Sequence, residues 1–269
     1  MTGVHRAAEL KHQGLSDRDI RRLAIDGRLI SIRRGWYATP YADRKVVDAV
    51  AAGGVLSCVS ALRHHEIWVP PDNRLHTRLP LRNSNNAASC RGFGGMPPLG
   101  GPVDPLLVAY GCAARCLDDE GLIAVSDSIL NKTEYTVADL RGALSAGPLR
   151  VKRLLAWCDG RAQSGTESIA RVRFRKARIK VRVQVAIRGV GIVDLLIGER
   201  LIVECDSVQF HTGVDNYQRD RDRDRRSTAD RYVTVRLTYN DVMYRWDEVF
   251  ADILDLIQRR EHRRKPLKP

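Results

Sequence analysis

The chain has 269 residues, 43% hydrophobic and 29% charged, which is enough for about two soluble domains with buried cores. No apolar run approaches the ~20 residues that span a bilayer, and the first residues lack the apolar stretch of a secretory signal, so a cytoplasmic protein with no membrane partner is expected. A net charge of +13, spread along the whole chain and not gathered on an amphipathic lysine-rich helix, favours nucleic acid as the partner.

Residues 4–13 have helical spacing, and Gly14-Leu15-Ser16 breaks them. Ser16 can cap a second helix, with Asp19 three residues later completing a capping box. That helix places Ile20 and Leu23 on one face and Arg18, Arg21 and Arg22 on the others, and Gly27 ends it. From Arg28 to Ala38 the sequence alternates as two short strands around a tight turn that carries Arg33 and Arg34. Residues 1–42 therefore read as a winged helix-turn-helix, its second helix in a DNA groove and its wing on phosphates. The blander reading is a small α+β cap with a solvated basic face.

Residues 43–160 read as a mixed α/β connecting domain. Helical stretches are expected at Asp48–Ala52, Ser57–His65, Leu106–Ala114, Leu122–Leu130 and Val137–Leu144, with a loop at Pro70–Asn73 and irregular chain over 83–105. The pair His64-His65 has no carboxylate cluster beside it in sequence and reads as structural. No chemistry is legible here, which leaves a spacer, a dimer surface or a partner-binding surface. The six cysteines (Cys58, Cys90, Cys112, Cys116, Cys158 and Cys205) lack the paired short spacings of zinc sites. Only Cys112 and Cys116 lie close, on an expected helix, so all six read as small buried residues in a reducing compartment.

After the polar break at Gly160–Gly165 a third domain runs to residue 262, followed by a basic tail at 263–269. Thr166-Glu167 opens a helix. Strands are expected at Lys180–Ile187, Ile192–Ile197, Leu201–Asp206 and Tyr232–Thr238. A densely charged helix is expected at Asp215–Asp230, and an amphipathic helix carrying Val249, Phe250, Ile253, Leu254 and Ile257 closes the domain. Only Gly198-Glu199-Arg200 separates the second and third strands, so they form a hairpin. If Ile197 pairs with Leu201, Asp194 falls opposite Glu204, with Cβ atoms about 4.5–5.5 Å apart, where like charges repel. Both sit in otherwise apolar strands, where an uncompensated charge is costly. A divalent cation removes both problems, and Asp206 shares the face of Glu204. Magnesium suits such a set, taking one or two carboxylates together with water and substrate phosphate. The alternative is that arginines pair with these acids, or that the register slips.

The stretch from Glu167 to Val242 resembles the very-short-patch-repair-like endonuclease domain of the PD-(D/E)xK nuclease superfamily. The residues that carry the resemblance are Glu167, Gln184, Val193-Asp194, Glu204-Cys205-Asp206, His211, Asp220 through Arg223, Val235-Arg236-Leu237 and Asn240-Asp241-Val242. The first 150 residues are similar to AbiE-type antitoxin-like proteins of actinobacteria, through Gly14-Leu15-Ser16, Gly27-Arg28-Leu29, Arg34-Gly35-Trp36-Tyr37-Ala38 and Ser57 to Leu62. The resemblance implies a restriction-endonuclease-like C-terminal fold that hydrolyses DNA with Mg²⁺ or Mn²⁺. Asp194, Glu204 and Glu167 would be the metal ligands. Asp206 stands where the superfamily usually has a lysine, and Gln184, His211 or Arg223 would substitute for it. Ser207 and Arg231 replace glycines of the pattern. DNA is the implied partner, contacted by Arg18, Arg21, Arg22, Arg28, Arg33, Arg34, Arg182, Arg219 and Arg223. A homodimer and a cognate toxin are further partners consistent with it. The alternative function is a DNA-binding repressor or antitoxin whose nuclease fold is a non-catalytic scaffold.

Overall fold

Ser16 Oγ accepts the N–H of Asp19, and the Asp19 carboxylate accepts the N–H of Ser16. This reciprocal cap starts a helix where the sequence calls for one. The computed structural model describes residues 2–80, 89–206 and 231–263. The chain is mixed α and β with several small sheets. It divides into two compact units. One is the chain up to Leu122 together with Tyr135–Leu155, and the other is Ile123–Glu134 together with the chain from Ala156 onward.

The first unit opens with β1 (Val4–Arg6), α1 (Ala7–His12), the Ser16-capped α2 (Asp17–Ile25), β2 (Ile30–Arg33) and β3 (Trp36–Ala38). Residues 4–6 are thus a strand and not the start of a helix. They pair antiparallel with β3, Val4 opposite Ala38, to give the order β1-β3-β2. Pairing with a distant strand overrides the local helical spacing. Leu10, Ile20 and Leu29 form the core beneath, flanked by Leu15, Leu23 and Tyr37.

The unit continues with α3 (Arg44–Ala51), β4 (Val55–Leu56), α4 (Cys58–His64), β5 (Thr77–Arg78), α5 (Leu106–Ala113), α6 (Asp119–Lys132), α7 (Val137–Ala143) and α8 (Leu149–Leu154). The helix α6 begins in the first unit and continues into the second. The two histidines are tied locally, His64 to the Asp43 carboxylate (3.3 Å) and His65 to the Asp104 carbonyl (2.8 Å). Cys116 lies in the turn after α5, its N–H on the Ala113 carbonyl, and not on a helix with Cys112. Among the irregular residues 89–105, Ser89 bridges to Thr77 and Val103 to Leu56.

The second unit is built on α9 (Gly165–Lys176) and a four-stranded sheet of β6 (Val181–Ile187), β7 (Gly191–Ile197), β8 (Leu201–Asp206) and β9 (Val233–Thr238). The order is β6-β7-β8-β9, antiparallel except for the parallel β8–β9 pair. Asn240-Asp241-Val242 lies inside a short helix, Tyr239–Tyr244. Thr238 and Asp241 form its capping box. The closing helix, Trp246–Gln258, stacks Trp246 on its own Phe250 and packs both against Phe174 of α9, Trp246 edge-on and Phe250 tilted. The expected helix at Asp215–Asp230 lies outside the described residues.

Candidate functional site

One row of residues crosses the four-stranded sheet. The pairs Val183↔Leu195 and Val185↔Val193 set Gln184 opposite Asp194. The hairpin pairs Ile197↔Leu201 through Leu195↔Val203 set Asp194 opposite Glu204, and Glu204 is in register with Arg236 of β9. The row therefore reads Gln184, Asp194, Glu204, Arg236. The ladder skips this row between β6 and β7, where Gln184 takes a left-handed φ of 51° in mid-strand, and it ends one pair short of the row between β7 and β8. Such a conformation in a non-glycine residue is found where surrounding structure enforces it.

Side chains replace the missing ladder bonds. The Asp194 N–H donates to Glu204 Oε2 (3.1 Å), and the Cys205 N–H donates to Asp194 Oδ2 (2.9 Å). Gln184 Nε2 donates to Asp194 Oδ1 (3.2 Å) and to Glu167 Oε1 (3.0 Å). Glu167 reaches the row from the first turn of α9, a helix whose N-terminus Ser164 caps (3.1 Å). Its second oxygen accepts the Gln163 N–H (2.9 Å). The Glu167 carboxyl is buried, 1% exposed, and burial pushes its pKa up to about 7. Hydrogen bonds from Gln184 and Gln163 oppose the shift and the nearby Asp194 adds to it.

This donor set suits a hard divalent cation: carboxylate oxygens from one helix and two strands, one of them buried. Among the described residues neither Glu167 nor Asp194 has a lysine or arginine partner. The Gln184 amide nitrogen lies between them, where positive charge is called for. The three acids are more widely set than a closed metal cage. Among the described residues the group of His, Cys, Asp and Glu whose donor atoms all lie within 4.8 Å of one another is Cys58, His76, Cys90 and Cys116, in the first unit.

The other residues singled out in the sequence are placed as follows. Asp206 ends β8 and is exposed, while Arg182 is exposed with its guanidinium on the Gly198 carbonyl (3.0 Å). His211, Arg219 and Arg223 lie outside the described residues. In the first unit Arg18, Arg21, Arg28 and Arg34 are exposed, and Arg22 pairs with Asp19 (3.1 Å). Arg33 is partly buried with its guanidinium over the Trp36 ring, and Arg6 also lies over that ring. Arg33 is thus packed into the hairpin.

Two features escaped the sequence. Arg236 stands beside Glu204 through a parallel pairing between strands distant in the chain, which no local pattern encodes. The Cys/His group draws one ligand from each of four segments. The expectation that all six cysteines are scattered, buried residues is therefore corrected: three of them gather around His76, Cys116 is exposed, and Cys90 and Cys158 are only partly buried. Comparison with protein-family models and with curated proteins returns no match. Among the described residues no helix is long and apolar enough to cross a membrane.

Proposed function

We propose that this chain is a divalent-metal-dependent DNA endonuclease of the PD-(D/E)xK kind. The observation that supports it best is the meeting of Glu167, from helix α9, with Asp194 and Glu204 of the sheet row. There a carboxyl group is buried, and neither Glu167 nor Asp194 has a cationic side chain among the described residues. A structural ion pair would supply an arginine or lysine. Among the described residues, the hydrogen bonds to the Glu167 and Asp194 carboxyl oxygens come from backbone N–H groups and the Gln184 amide.

Asp194 and Glu204 would hold the metal, with Glu167 binding it directly or through water. Bound Mg²⁺ would supply a water of lowered pKa and charge for the departing oxygen. Cys205 N–H and Gln184 orient the Asp194 carboxylate, and rotation of the Gln184 amide would turn its oxygen toward the acids in place of its nitrogen. Arg236 brings fixed positive charge to the side of Glu204, where the resemblance puts Asp206 in the usual lysine position. The exposed arginines of α2 and the hairpin would contact DNA phosphates.

The test is cleavage of supercoiled plasmid with Mg²⁺ or Mn²⁺ by the wild type and by Asp194→Ala. Metal-dependent cleavage by the wild type and loss of it in the variant are expected. Equal cleavage by both, or none by either with DNA binding intact, would overturn the enzyme reading in favour of a DNA-binding repressor.

A further inference from the structure

We propose that Cys58, His76, Cys90 and Cys116 form a structural Zn²⁺ site in the first unit. Their donor atoms all lie within 4.8 Å of one another. In a tetrahedron with Zn–S near 2.3 Å and Zn–N near 2.0 Å, neighbouring donors are roughly 3.5–3.8 Å apart. The observed group therefore needs only a small contraction. Three thiolates and an imidazole are the donor set of a closed Cys₃His zinc site, and they are too soft for magnesium or calcium.

The histidine is prepared for the role. His76 is 4% exposed, with Nε2 on Asp72 Oδ2 at 3.1 Å and Nδ1 toward Cys90 Sγ at 3.3 Å. The carboxylate fixes the proton on Nε2, so the lone pair of Nδ1 faces the sulfurs. That is how metal-binding histidines are ordinarily oriented. Asp72 is itself held by the Arg74 guanidinium (2.8 Å) and Arg74 N–H (2.8 Å).

Backbone hydrogen bonds hold His76, Cys90 and Cys116 in place. The His76 N–H donates to Ser60 Oγ (3.0 Å), and its carbonyl accepts the Ser57 N–H (2.9 Å). The Cys90 N–H donates to the Thr77 carbonyl (2.8 Å), and the Cys116 N–H to that of Ala113 (2.9 Å). Cys58 takes a left-handed φ of 52° at the start of α4, a conformation that plain core packing does not require. Binding releases three thiol protons to solvent and leaves the imidazole neutral, so the filled site carries a net charge of −1. Arg74, Arg91 and Arg115 line the same cleft as His76, Cys90 and Cys116 and balance that charge.

The proposal shares no residue with the carboxylate row, and its test does not read cleavage. Full-length protein, expressed with zinc and purified without chelator, is assayed for metal by elemental analysis. About one zinc per chain is expected, retained in Cys158→Ala and lost in Cys90→Ser and Cys116→Ser. Metal-free protein titrated with Co²⁺ should develop the visible bands of tetrahedral thiolate-bound cobalt. Asp72→Asn keeps all four ligands and should weaken zinc about 10- to 100-fold in competition with a chromogenic chelator. This variant and the Co²⁺ titration decide the matter if the serine variants do not fold. Folded wild type with no zinc and no cobalt spectrum would overturn the site. So would unchanged zinc in the serine variants, iron in place of zinc, or a disulfide among Cys58, Cys90 and Cys116.

Discussion

The Asp194 N–H donates to Glu204 Oε2 at 3.1 Å, at the row where the β7–β8 ladder stops after Leu195↔Val203. A backbone donor that would have served the sheet serves a carboxylate instead. Asp194 in turn accepts from Cys205 N–H. Each acid is thereby oriented by the other's strand. The hairpin turn guards this register, since Gly198 takes φ +62° and sits against the His262 backbone, where a Cβ has no room.

Glu167 makes the stability of the metal-free chain depend on pH. Its folded pKa, about 7, lies above the ordinary 4.5, because burial disfavours the charged form. Its contribution is therefore fully present below about pH 4.5 and is lost as the pH rises through 7, by up to roughly 3 kcal/mol at about 1.4 kcal/mol per pH unit. Urea unfolding at pH 5 and pH 8, without added divalent metal, should show a larger loss in the wild type than in Glu167→Gln. Equal slopes would refute this.

Arg236 tests whether the row carries positive charge into the chemistry. If the endonuclease reading holds, Arg236→Ala should reduce Mg²⁺-dependent plasmid cleavage by about 10²-fold, the typical effect of deleting one preorganised charge-stabilising group. Mg²⁺ affinity measured by calorimetry should stay near the wild-type value. An unchanged cleavage rate would remove Arg236 from the site.

Asp127 and Arg171 form a buried ion pair in the second unit, 1% and 2% exposed, at 2.7 Å. Burial raises the Asp127 pKa, while Arg171 and the Asp159 N–H lower it. Removing one partner leaves an uncompensated buried charge, so Asp127→Ala should destabilise the unit by about 3–5 kcal/mol. The double variant Asp127→Leu with Arg171→Met should cost less than the single one. A single-variant loss below about 1 kcal/mol in denaturant melts would contradict the pairing argument.

Arg231 stands where the resemblance has a glycine, and its φ is +59°. A side chain in the left-handed region is strained, and glycine relieves the strain but loses more entropy on folding. Arg231→Gly should therefore be stabilising by about 0.5 kcal/mol, read as a higher melting midpoint. A clear loss of stability would show that the arginine side chain holds the strand entry in place.

Short-range signals were legible in the sequence. The Ser16–Asp19 cap depends on residues three apart, and the Ile197↔Leu201 register depends on a three-residue loop, which fixes which side chains oppose one another. The facing of Asp194 and Glu204 follows from that loop alone. The strand at Val4–Arg6 was not legible, because its partner β3 lies thirty residues on and outweighs its helical spacing. Nor was the helix at Tyr239–Tyr244, although Thr238 and Asp241 carry the cap signal. Only the tertiary structure brings Gln184 between Glu167 and Asp194, sets Arg236 beside Glu204 through a parallel pairing, and gathers Cys58, His76, Cys90 and Cys116. Each of these depends on chain segments that meet through burial of their apolar neighbours, and spacing along the chain does not record which segments will meet.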